Sequence, residues 1–143
     1  MDATDRGGVI RLADVQALIP GPAGERAGLA LKRGTLDITL SLPVPPNRQT
    51  PHDQDELYVV IRGQGVLIHD DQRTRFAAGD ILFVAAGTEH HYAEFSADLA
   101  LWRIFYGRPG GEIPPSNEAA AADQPFGAGA GGADFFGGRG SAG

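Results

Sequence analysis

The chain predicts an all-β domain, and three observations carry that expectation. From Glu56 onward short apolar runs recur at close intervals: Leu57 to Ile61, Val66 to Ile68, Ile81 to Val84, His90 to Phe95 and Leu99 to Phe105. Turn-forming residues separate them at Gly63-Gln64-Gly65, Asp70-Asp71-Gln72, Ala78-Gly79-Asp80 and Ser96-Ala97-Asp98, the residue types that accept tight reversals. Thr35 to Leu42 alternates Leu36, Ile38, Leu40 and Leu42, the pattern of a strand with one buried face. Many short strands with regular turns make a sandwich or a barrel.

The other elements follow in chain order. Leu12, Val15, Leu18 and Ile19 lie at helical spacing between Val9 and Ile19, and Pro20 ends the stripe, so a short helix is expected there. Gly21-Pro22-Ala23-Gly24 reads as a turn and Ala27 to Leu31 as a strand. Pro43-Val44-Pro45-Pro46-Asn47 cannot donate a regular ladder of hydrogen bonds, which makes it an edge or a connecting loop. After Gly107 the composition turns to Pro, Ala and Gly, a stretch that cannot bury enough surface to order itself. The expected layout is an N-terminal segment over 1–25, a β-sandwich or barrel over 26–107 and a flexible tail over 108–143, in which Phe126, Phe135 and Phe136 are solvated aromatics or, as the alternative, dock on a subunit surface.

Composition narrows the function. A chain of 143 residues with 42% apolar content suits one domain with a modest core. The formal net charge of −6 would repel phosphate backbones, so no nucleic-acid partner is expected. Without cysteine there is no disulfide, no thiolate ligand and no thiol nucleophile. The acidic start Met1-Asp2-Ala3-Thr4-Asp5 has no apolar run behind it, and no apolar stretch approaches ~20 residues. A soluble cytoplasmic protein with no membrane partner is the expectation.

Two segments concentrate polar side chains that can ligate a metal: Thr50-Pro51-His52-Asp53-Gln54-Asp55-Glu56 and Gly87-Thr88-Glu89-His90-His91. His52, Glu56 and His90 are the candidate ligands, since imidazole nitrogen and carboxylate oxygen suit Fe, Mn, Ni, Cu or Zn. In a straight strand His52 and Glu56 would stand about 13 Å apart at ~3.3 Å per residue, so the chain must bend between them. Strand alternation gives His90 an inward side chain and His91 an outward one. His69, in a turn with Asp70 and Asp71, is expected at the surface.

These segments resemble the cupin superfamily over about 49–105. In its first motif two histidines one residue apart precede a glutamate and, seven residues on, a glycine; His52, Glu56 and Gly63 match, and Thr50 occupies the first histidine position. The second motif is matched by Gly79, Gly87 and His90, with Ala85 in the proline position and Glu94 where an asparagine is usual. The resemblance implies a double-stranded β-helix, the cupin jelly-roll barrel, and a homodimer. It also implies a divalent transition metal ion (Fe, Mn, Ni or Zn) on His52, Glu56 and His90. Thr50, His91 and Glu94 would be weak ligands or their supports, and Tyr58, Tyr92 and Trp102 pocket lining.

Two functions fit these residues. One is a metal-dependent oxygenase or isomerase acting on a small molecule. The other is a non-catalytic module that binds or senses a small-molecule ligand. A purely structural role fits least, because polar motif residues are costly to bury.

Overall fold

The computed structural model describes residues 6–47 and 49–114, and the expected tail from residue 115, with Phe126, Phe135 and Phe136, lies outside the described residues. The elements are α1 (Leu12–Gln16), β1 (Ala27–Arg33), β2 (Leu36–Ser41), β3 (Asp55–Arg62), β4 (Gln64–His69), β5 (Gln72–Ala77), β6 (Ile81–Val84), β7 (His90–Ala93) and β8 (Ala100–Tyr106). They form a five-stranded sheet, β1-β2-β8-β3-β6, and a three-stranded sheet, β5-β4-β7. Every pairing is antiparallel.

Between the sheets lies the main core: Tyr58, Val60, Leu67, Phe76, Leu82, Val84, Tyr92, Leu99 and Leu101. Alternation along β3 and β8 sends Tyr58, Val60 and Leu101 inward, with Leu99 just before β8 on the same side, and puts Trp102 on the opposite face. That outer face carries a second cluster, in which Val15 of α1 packs with Leu40, Leu42 and Ala100, flanked by Ile10, Ile19, Ile61 and Trp102. The apolar alternation of β2 therefore serves the helix. Its inward row is the polar set Asp37, Thr39 and Ser41, which stand opposite Phe105, Arg103 and Leu101.

Two glycines let these layers close. A Cβ on Gly28 would meet the Val15 carbonyl at 3.3 Å, so its absence lets α1 settle on β1. Gly63 holds φ at +88°, and a Cβ there would come within 2.7 Å of the Leu99 Cα, a conformation and an approach that only glycine takes without strain.

Local differences from the sequence reading have physical causes. α1 spans five residues only, and Leu18 is exposed. β7 stops at Ala93 because Glu94 enters the left-handed region at φ 51°. β5 was not expected, since Gln72-Arg73-Thr74-Arg75-Phe76-Ala77 buries Phe76 alone. It is an edge strand with a charged outer row, which discourages pairing with other chains.

Candidate functional site

At one end of the barrel the start of β3 meets the start of β7. The bend expected between His52 and Glu56 falls at Asp53-Gln54, and neighbouring segments hold it. Gln54 Nε2 donates to the carbonyls of Thr35 and Gly107 at 3.0 and 2.9 Å. The Gly87 N–H donates to the His52 carbonyl at 2.8 Å, tying the two motif segments together. Asp55, turned the other way, accepts from the Ala86 N–H at 3.0 Å.

Glu56 and His90 then meet in the interior, at 1% and 4% exposure. His90 Nδ1 lies 2.9 Å from the Thr88 carbonyl, which can only accept, so the ring carries a proton on that nitrogen. In the neutral ring Nε2 is left with a lone pair. It faces Glu56 Oε1 at 3.2 Å and the Tyr58 hydroxyl at 3.0 Å. The Tyr58 hydroxyl lies 2.6 Å from Glu56 Oε2 and 3.1 Å from Gln49 Oε1, and it has one proton to give. Two acceptors, Nε2 and Oε1, thus stand face to face, and a positive species between them relieves the repulsion.

Protonation is one way to supply it. Burial works against a second proton on His90, but the hydrogen bond to Glu56, the bond to Thr88 and the Glu56 charge outweigh burial and the opposing charge of Arg103, so its pKa is raised. Burial pushes the Tyr58 phenol far up, aided by Tyr92 and Glu56, and it stays a neutral donor. Burial also raises the Tyr92 phenol, against hydrogen bonds with Tyr58 and Gln49 that favour ionisation.

A metal ion is the other way. Two donors 3.2 Å apart suit adjacent positions on one ion at ~2.0–2.2 Å bonds, and a ligating imidazole commonly rests its other nitrogen on a carbonyl, as His90 does. His52 stands further off. Its ring centroid is 6.5 Å from that of His90 and 4.5 Å from that of Phe105, whereas two imidazoles on a tetrahedral ion have centroids about 5 Å apart. Among the described residues no three His, Asp or Glu side chains enclose a common point.

The other expected site residues divide. Tyr58 and Tyr92 line the interior, their rings 5.4 Å apart and edge-on. Thr50 and His91 are exposed. Glu94 is exposed too and pairs with Arg73. Trp102 belongs to the outer cluster under α1, so it lines no pocket with Glu56.

Four residues were not foreseen. His69 is opposite His90 in the β4–β7 register and so shares its face, where the sequence reading put it at the surface. Gln49 reaches Tyr58, and Asn47 Oδ1 accepts from the Tyr92 N–H at 2.9 Å. Arg103 lies in the inward row of β8 between Thr39 and Tyr58. Alternation from Leu99 and Leu101 would have found Arg103; nothing in the sequence marks Asn47 or Gln49.

The Cupin domain family matches residues 43–102, which span both motif segments. Over that span the chain carries a cupin domain. An uncharacterised protein of Streptomyces coelicolor is 35% identical over 57 residues, 40% of this chain and 54% of that protein. The HTH-type transcriptional activator RhaR of Escherichia coli is 38% identical over 55 residues, 38% of this chain and 19% of RhaR. The chain thus spans about half of the first relative and a fifth of the second. A solved cupin-2 domain protein from Shewanella frigidimarina superposes with a TM-score of 0.53 at 19% identity, over 69% of this chain and 95% of that one. A Neisseria meningitidis protein gives 0.55 at 15% identity, over 70% and 100%. These likenesses establish the cupin double-stranded β-helix, and no described helix is long and apolar enough to cross a membrane.

Proposed function

We propose that this cupin domain holds a divalent transition metal ion in its barrel mouth and binds a small molecule beside it. The observation that supports this reading is the buried approach of His90 Nε2 to Glu56 Oε1 at 3.2 Å. Glu56 and His90 would hold the ion, with His52, from the same mouth, as the third protein donor. Nitrogen and oxygen donors without sulfur suit Fe, Mn, Ni or Zn. Such an ion supplies Lewis acidity or oxygen activation, the chemistry of an isomerase or an oxygenase. The chain itself contributes a neutral phenol, Tyr58, hydrogen-bonded to the candidate carboxylate, which fixes the orientation of Glu56.

Full-length protein reconstituted with Fe(II), Mn(II), Ni(II) or Zn(II) and then desalted tests the reading by elemental analysis. About one ion per chain is expected, lost in His90→Ala and Glu56→Gln while the circular dichroism stays that of a β protein. Folded protein that retains none of the four metals would overturn it.

A second reading is a non-catalytic sensing module, favoured by the likeness to part of a transcriptional activator. Metal-loaded protein offered small acids, phenols and sugars separates the two. Turnover or oxygen uptake supports the enzyme, and saturable binding without either supports the sensor.

A further inference from the structure

The inward row of β8 carries one charged side chain, Arg103, between Leu101 and Phe105. It sits on β8 with Thr39 and Tyr58 as its cross-strand neighbours. Its guanidinium carbon lies 5.2 Å from the centroid of Phe105, the ring that His52 rests on. Arg103 therefore belongs to the same mouth as His52, Glu56 and His90. Its Nε is shielded from solvent and has no hydrogen-bond partner among the described residues.

That is unusual chemistry for a guanidinium nitrogen held away from solvent on a half-buried side chain. An interior charge is ordinarily paired, because an unmet N–H and an unpaired cation are both costly to bury. Two acids stand close in the strand register, Asp37 and Glu56, yet both are engaged elsewhere. Asp37 takes the Thr39 hydroxyl at 3.0 Å and Lys32 at 3.7 Å. Glu56 takes Tyr58 and His90. In a chain of net charge −6 a cation left over inside the barrel has not lacked for acidic residues to pair with.

We propose that Arg103 is the anchor for the carboxylate of a small organic acid, and that this is the ligand class of the mouth. Nε–H and the neighbouring Nη–H form a planar fork that matches the two oxygens of a carboxylate. A single guanidinium balances one negative charge, and Glu56 nearby disfavours a doubly charged phosphate. The Phe105 ring beneath the guanidinium offers an apolar wall to the carbon skeleton of the acid. The proposal rests on the reading of the mouth as the ligand site, but carboxylate capture by Arg103 does not require the metal.

The test is therefore run on metal-free, full-length protein. Arginine Nε–H signals are followed by NMR while short aliphatic acids, 2-hydroxy acids, 2-oxo acids and benzoate are added, each beside its uncharged amide and beside inorganic phosphate. At least one acid is expected to shift the Arg103 signal saturably while its amide does not. Calorimetry should give binding weakened by ~10-fold or more in Arg103→Gln, with Arg103→Lys, which keeps the charge and loses the fork, between the two. Unchanged melting curves identify variants that remain folded, and the wild-type NMR signal answers the question even if both unfold. Acids that leave that signal unmoved, amides that bind equally, or phosphate that binds more tightly than every acid would each overturn the assignment. Failure of metal loading with carboxylate binding intact would defeat only the metal reading.

Discussion

The two ends of the barrel are built by the same strands and carry opposite chemistry. At one end β3, β7 and β8 contribute Glu56, His90, Arg103 and Phe105; a few residues along, β3 and β8 contribute Val60 and Leu101, Leu99 joins them from just before β8, and Phe76 closes over them from β5. The closed end is dry packing. The mouth is a row of polar groups whose needs are only partly met by one another. Stability and function are thus separated along each strand rather than between elements, and substitutions two to four residues apart should have different consequences.

The largest effect on stability belongs to the closed end. Leu101 is fully buried in the main core, and Leu101→Ala should cost about 2–5 kcal/mol in urea unfolding. Carboxylate and metal binding of the fraction still folded should be unchanged. Gly63→Ala comes next, since it sets a side chain at φ +88° against the Leu99 backbone; about 1–3 kcal/mol is expected. If either variant lost ligand affinity in proportion to stability, the two ends would be one cooperative unit and the separation would fail.

Alkaline titration probes the boundary between the ends, where Tyr58 and Tyr92 lie. Both phenols have raised pKa values in the fold, chiefly through burial. The unfolded chain therefore gives up its protons first, so stability is steady below pH ~10 and falls above it, by about 1.4 kcal/mol per pH unit for each phenol. Phenolate absorbance from these two should appear together with unfolding. Its appearance in protein whose circular dichroism is still native would show that water enters the barrel from the mouth as far as Tyr92.

The contrast between the ends also explains what could be read in advance. Strands with apolar inward rows announced themselves, and so did the turns, because Gly63 and Gly79 mark places where only glycine suits the backbone. β5 stayed hidden because a lone Phe76 gives no period to read. β2 was found by its apolar alternation, but that row packs under α1, and the row that faces the mouth is Asp37, Thr39 and Ser41. Glu56 and His90 were legible from motif spacing. Arg103 was within reach of alternation from Leu99 and Leu101, but His69 was not, since its inward place comes from its register opposite His90, and register is a property of paired strands.

The smallest effect on stability and the sharpest on the metal reading come from comparing the two histidines. Motif spacing alone gave His52 and His90 equal weight as ligands, but the structure treats them differently. His90 is buried against Glu56, while His52 is half-buried with its ring on Phe105. His52→Ala should therefore cost no more than ~1 kcal/mol, the scale of one half-buried ring contact, and should leave a weakened but measurable ion at the mouth. His90→Ala should leave none. Binding isotherms for the two variants, taken at neutral and mildly acidic pH, carry the decision: wild-type affinity should drop on acidification because the proton on His90 competes for the same nitrogen. Equal losses in both variants would mean that His52 swings off Phe105 to become a full ligand, and the mouth would then have to rearrange each time it is loaded.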